Sequence, residues 1–285
     1  MQRVALVTDS SADIPVSMQS ETGVIVVPAS FGFDDGVFTD GDVAAREFYA
    51  RMAAGGDGPR PFGADESRFA RAFRDALEIA ESALCLVTPF DVSPTFTTAS
   101  AAVLAMDDAP IKVLNPGVAS AGLCSLMMAL SPYARAGQPM DVLLAAIDLL
   151  EPYCDTLFVP ASPRWLAEGG RLALIEDRIG EIGGGTPIVR VGTRITGVSL
   201  EAAHEAAIER AVQVAGLRAG DGTQIIVTIA HADDAALAAH IADLLQRRWN
   251  VVRTIVTELS ATLGSQLGPG AVGIGVSPAR PVRGD

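Results

Sequence analysis

The chain has 285 residues, 49% hydrophobic and 19% charged, which excludes a disordered polypeptide and predicts two packed units. Its 34 acidic and 21 basic residues leave a net charge of −13, a field that repels phosphate backbones and anionic membrane surfaces and so excludes nucleic-acid partners. Lys112 is the sole lysine and sits in the strand-like run Ile111-Lys112-Val113-Leu114, so neither a P-loop nor a Schiff-base site can be assembled.

In chain order, Val4 to Val7 predicts a buried strand, closed by the turn-forming Thr8 to Asp13 and a helix from Pro15. Val24 to Pro28 predicts a second strand, and Asp34-Asp35-Gly36 a hairpin turn before Val37. A helix carrying Val43, Phe48, Tyr49 and Met52 follows, then a Gly- and Pro-rich surface loop from Ala53 to Gly63. Asp65 is placed to cap the helix of Phe69, Phe73 and Leu77. Strands Ala83–Thr88 and Ile111–Leu114 then alternate with helices Pro94–Met106, Val118–Arg135 and Met140–Leu150. This alternation predicts a mainly parallel α/β sheet over residues 1–155.

Residues 156–285 follow a different pattern, predicting an α+β unit with an antiparallel component. Thr156–Ala161 is a strand and Pro163–Ala167 a short helix ended by Gly169-Gly170; Pro187–Val191 and Arg194–Val198 form a hairpin. Helices Leu200–Leu217 and Asp233–Trp249 each lead into a strand, and Gly268-Pro269-Gly270 precedes the last one, Ala271–Val276. Cys85, Cys124 and Cys154 lie far apart in apolar runs, as buried thiols of a reducing compartment do, and the three histidines lack metal-ligand spacing. The start resembles no secretory signal, and no run approaches the ~18 apolar residues of a membrane span. The expectation is a cytoplasmic protein without membrane insertion or metal.

The segment from Leu86 to Ala99 carries the chemistry. An apolar strand runs into a loop where Ser93 and Pro94 open a helix as N-cap and first residue. Free N–H groups and the positive helix end there suit a carboxylate or phosphate, with Ser93 and Thr95 as a hydroxyl pair beside it. Read alone, Ser93 is simply a helix cap.

Four segments, taken in order, resemble the DegV family. Thr8-Asp9-Ser10-Ser11-Ala12-Asp13-Ile14-Pro15 is similar to its opening Thr-Asp-Ser-Thr-Ala-Asp-Leu-Pro, and Ser93-Pro94-Thr95-Phe96-Thr97-Thr98-Ala99 to its Ser-Gly-Thr-Tyr-Gln-Ser-Ala. Gly169-Gly170-Arg171-Leu172 resembles its Gly-Gly-Arg-Ile turn, and Gly268-Pro269-Gly270-Ala271 its final Gly-Pro-Gly-Ala. The resemblance implies a two-domain protein, divided here as 1–155 and 156–285, that holds one long-chain fatty acid between its domains, with no cofactor and no chemistry of its own. Some members are the fatty-acid-binding subunit of a bacterial fatty acid kinase, which implies a kinase as partner.

The resemblance also implies where the acid head group lies. The family uses a Thr from Thr-Ser-Gln-Pro, the Ser of the second motif and a His ahead of the last Gly-Pro-Gly. This chain keeps Ser93, with Thr95 in support, but has Pro61-Phe62-Gly63-Ala64 at the first position and Gln266 at the third. Pro61, Phe62 and Gln266 are therefore expected at the head group. Asp9 and Ser10 stand at the strand end where α/β sheets place ligands, with an ordinary Asp turn as the bland reading. Arg171 is expected to meet a phosphate or the kinase, or else to pair with Glu168 or Asp177. Two other functions remain: a phosphatase with Asp9 as nucleophile, and a regulatory protein that has lost its ligand.

Overall fold

The computed structural model describes the chain apart from residues 1, 56–57, 91, 169–174, 177–179, 181–182 and 283–285. Val4 to Val7 are buried on both faces, as a central parallel strand requires, and β1 (Gln2–Asp9) pairs in parallel with β2 (Ile25–Val27) and β6 (Ala80–Leu86). With β7 (Ile111–Leu114) they form an all-parallel sheet of order β2-β1-β6-β7. Helices α1 (Val16–Thr22), α3 (Glu66–Ile79) and α4 (Thr95–Leu104) connect its strands. Asp65 caps α3 as predicted, its Oδ1 accepting the Arg68 N–H at 2.9 Å.

A small antiparallel sheet of β3 (Ser30–Phe33), β4 (Gly36–Thr39) and β5 (Arg60–Gly63) is inserted, with Asp34 and Asp35 in the predicted turn. Helix α2 (Ala45–Ala53) links β4 to this edge. The stretch expected to be loop up to Gly63 thus ends as a strand. Pro61 fits there because β5 is an edge, where a missing N–H leaves no ladder bond unmade.

The remaining strands build one mixed sheet of order β10-β9-β8-β13-β11-β12. They are β8 (Asp155–Val159), β9 (Thr186–Val191), β10 (Ile195–Glu201), β11 (Ile225–His231), β12 (Val251–Glu258) and β13 (Val272–Pro278). Only β11–β12 is a parallel pair, so the expected antiparallel component dominates. The long helix predicted from Leu200 begins later: β10 runs to Glu201, and α8 is His204–Ala215. Helices α8 and α9 (Ala235–Arg248) cover one face, packed on Leu157, Val159 and Ile274. Alternate residues Phe158 and Val189 point to the opposite face.

Helix α5 (Ser120–Arg135) joins the two sheets. It is apolar nearly all round and buried along most of its length, packing on β13 and β11 with one side and β1 with another. The approach is close at Gly275 of β13, where a Cβ would run into the Ala121 backbone. Its polar residues are satisfied: Ser125 Oγ lies 2.8 Å from Thr228 Oγ1 and donates to the Gly275 carbonyl at 3.2 Å. Helix α6 (Met140–Leu150) buries Leu143, Ala146 and Ile147 against α5. Two short helices, α7 (Arg164–Glu168) and α10 (Ala261–Leu267), stand at the other end; α10 was not predicted. Among the described residues no helix is long and apolar enough to cross a membrane.

Candidate functional site

Beyond β6 the chain turns at Pro89, whose carbonyl accepts the N–H groups of Val92 at 2.9 Å and Ser93 at 3.1 Å. The turn swings the Ser93 side chain inward. Helix α4 therefore starts at Thr95 with Pro94 as its N-cap, and Ser93 does not cap it as expected. Its Oγ instead lies 2.6 Å from Thr95 Oγ1, both hydroxyls buried. Behind them Thr95 Oγ1 reaches Asp9 Oδ2 at 3.5 Å, the outer limit of a hydrogen bond. Ser11 Oγ donates to the same oxygen at 2.8 Å and lies 2.7 Å from Thr88 Oγ1. Four hydroxyls and one carboxyl thus form a single buried network at the ends of β1 and β6.

Asp9 is fully buried, and burial pushes its carboxyl up to about 6, against the opposing pull of the Ser11 hydroxyl. Its Oδ1 has no hydrogen-bond partner of good geometry among the described residues, although the Asp9 and Ser11 N–H groups favour its charged form. A phosphatase nucleophile must meet its substrate, and Asp9 lies behind Thr95, out of reach.

Ser93 also lines a cavity of about 440 Å³. Arg60, Pro61 and Phe62 of β5, Trp165 and Glu168 of α7, and Thr262, Ser265 and Gln266 of α10 are among its other lining residues. Val92 and Gln266 also border a second, wholly apolar gap of about 20 Å³ between Phe158, Leu166, Val191, Ile195 and Leu263. The cavity at Ser93 (the mouth) thus adjoins, through Val92 and Gln266, the apolar layer between the small sheet, α10 and the mixed sheet. Gln266 Nε2 donates to the Thr262 carbonyl at 2.9 Å.

Two contacts fix the mouth. Tyr49 of α2 donates its O–H to the Leu259 carbonyl at 2.8 Å and lies against Gly264, which seats α10. Gly268 has φ +80°, and the Trp165 indole occupies the place where its Cβ would stand. The Gly-Pro-Gly turn thereby lets the indole close over the backbone.

A larger cavity, about 630 Å³, lies elsewhere, between β2, α2 and β12. Ser10 lines it, donating to Asp40 Oδ2 at 2.5 Å and accepting the Ala29 N–H at 2.9 Å. Asp13, Asp40 and Glu258 also line it, and no Lys, Arg or His is among its described lining residues to receive a carboxylate head group. Of the residues expected at the ligand, Ser93, Pro61, Phe62 and Gln266 meet at the smaller mouth, Thr95 and Asp9 stand behind it, and Ser10 belongs to the other cavity. Arg171 lies outside the described residues. Among the described residues no three His, Cys, Asp or Glu side chains are grouped to hold a metal ion.

A family model described as "Uncharacterised protein, DegV family" matches residues 3–279. The chain belongs to the DegV family. A DegV domain-containing protein of Streptomyces coelicolor is 26% identical over 286 residues, covering 97% of this chain and 99% of that protein. The solved structure of a DegV family protein from Thermus thermophilus, described for its fatty acid binding, has a TM-score of 0.87 at 24% identity, covering 97% of this chain and 99% of that one. A DegV lipid-binding protein from Thermotoga maritima has a TM-score of 0.86 at 20% identity, covering 98% of this chain and 100% of that one. At those identities the likenesses establish the DegV fold.

Three mouth residues were not anticipated from sequence. Thr262 and Trp165 come from helices of seven and five residues, too short for a periodic signal. Arg60 sat in the stretch expected to be loop; its side chain faces Asp34 across the small sheet at 3.8 Å.

Proposed function

We propose that this protein binds one long-chain fatty acid and carries it without transforming it, with the carboxyl group at Ser93 and the acyl chain in the apolar layer beyond Val92. The observation that carries the reading is that Val92 and Gln266 line both the cavity holding Ser93 and Thr262 and a small gap walled by aliphatic and aromatic side chains. Some DegV proteins of known structure are described as fatty-acid-binding or lipid-binding, which supports the same ligand class. About 14 methylenes buried at ~0.8 kcal/mol each supply on the order of 11 kcal/mol before entropic costs. The apolar gap is far smaller than an acyl chain, so binding requires Leu166, Leu263 and Leu267 to move apart.

The ligand on this reading lies between a unit of residues 1–155 and one of 156–285, and the protein acts in the cytoplasm. The head-group end is the open end, which suits presentation of the carboxylate to a separate kinase. Delipidated protein titrated with palmitate and with hexadecane tests the reading. It requires saturable one-to-one binding of the acid and much weaker binding of the alkane; equal affinities, or none, reject it.

A further inference from the structure

Asp9 takes no part in lining the mouth, yet it is joined to it by hydroxyls that each carry one proton. Resting on the fatty-acid reading above, we propose that Asp9 is a positioning residue that sets the hydrogen-bond polarity of Ser93 through Thr95, so that an anionic head group is bound together with one proton taken up at Asp9.

The argument is proton counting along the network. When Asp9 is ionised it can only accept, so Thr95 donates to Asp9 and Ser93 must donate to Thr95. Ser93 then shows only lone pairs to the cavity, and lone pairs repel a carboxylate. When Asp9 carries a proton the direction reverses: Asp9 donates to Thr95, Thr95 to Ser93, and Ser93 presents its O–H to the ligand. The atoms are the same in both states, and only the direction of donation changes. The proton that reverses the chain sits on Oδ2, the oxygen of this fully buried carboxyl that faces both Thr95 and Ser11.

Electrostatics act in the same direction. A fatty carboxylate at Ser93 and an ionised Asp9 would be two buried like charges in one network, and such a pair keeps one proton between them. The groups facing Asp9 do not supply a counter-charge. Asp40 raises its pKa, and Cys85 on β6 is a thiol whose own pKa is pushed well up by burial. The neighbouring β2 is apolar, α3 buries Phe69, Ala72 and Phe73 toward this sheet, and Cys124 of α5 is a thiol held neutral with its pKa pushed up to about 12.

Isothermal titration of palmitate into delipidated protein, in two buffers of different ionisation enthalpy at pH 8 and pH 5.5, measures the protons exchanged. The expected result for the wild type is close to one proton taken up at pH 8 and affinity falling about tenfold per pH unit above pH 6. Asp9→Asn, whose amide donates permanently to Thr95, is expected to bind with no proton uptake and to be the tighter binder at pH 8. A carboxyl-13C label on the ligand is expected to keep the shift of an ionised carboxylate throughout, placing the proton on the protein. No uptake by the wild type, undiminished uptake by Asp9→Asn, or a ligand bound as the neutral acid would each overturn the proposal, and the first and last need no variant. Absence of binding at both pH values would instead reject the fatty-acid reading on which it rests.

Discussion

At the residue scale the mouth turns on Ser93. It lines the cavity, and its hydroxyl lies 2.6 Å from that of buried Thr95. Ser93→Ala removes its hydrogen bond to a charged head group, which is expected to weaken fatty-acid binding by roughly 1–3 kcal/mol while leaving thermal stability nearly unchanged. Competition with a fluorescent acyl probe measures this, and unaltered affinity would place the head group elsewhere. Asp13 poses a separate residue-scale question. Its carboxylate accepts the Ser120 hydroxyl and, at 2.8 Å, the Ser260 N–H, yet burial pushes its pKa from 3.8 up to about 7. Between those values the folded chain holds a proton that the unfolded chain has released, so stability falls as pH rises through that window. Asp9 acts in the same sense between 3.8 and about 6. Thermal unfolding is therefore expected at a higher temperature at pH 5.5 than at pH 8. Asp13→Asn, which can still accept from Ser260 and donate to Ser120, is expected to remove a large part of that difference, the Asp13 share between pH 5.5 and pH 8 being on the order of 2 kcal/mol. An equal pH dependence in the variant would show that Asp13 is not the titrating group.

At the scale of elements, α5 is the piece on which both sheets depend. Because Gly275 lets the helix backbone rest directly on β13, Gly275→Ala must push the helix off one sheet or distort the strand. Destabilisation of about 3 kcal/mol is expected in denaturant unfolding, well above the ordinary effect of adding a methyl group; a change below 1 kcal/mol would contradict this packing. The core signals of α5 were legible, since Ala121 to Leu130 is apolar on every side, as a helix buried on all faces must be. The parallel run of β1, β6 and β7 was legible for the same reason, and so was the Asp65 cap. What escaped was local. Helix α10 has seven residues and a glycine at its centre, and β5 is an edge strand with proline in it, so neither carries periodicity. Ser93 has the residue type of a cap, but the turn at Pro89 and the Thr95 hydroxyl two residues on engage it instead, a local alternative that residue type alone does not separate from capping.

At the scale of the whole molecule, residues scattered from β1 to α10 converge on one opening. The four motifs that resemble the DegV family end up unequally placed. The second and fourth shape the mouth, the first supplies the buried carboxyl behind it, and Gly169 to Leu172 lies outside the described residues. On the proposed reading, Pro61 and Gln266 in place of the expected threonine and histidine would leave Ser93 as the chief donor to the head group, which is why its polarity matters. The larger cavity, lined by Asp13, Asp40 and Glu258, has the greater volume but no basic side chain among its described lining residues. The most direct test of the account is mass spectrometry of an organic extract from the purified protein, quantified against protein concentration and repeated after delipidation and reloading with a mixture of fatty acids. The account predicts close to one mole of long-chain fatty acid per mole of chain after loading. A protein that yields no lipid at either stage, or retains neutral lipids and acids alike, would contradict it.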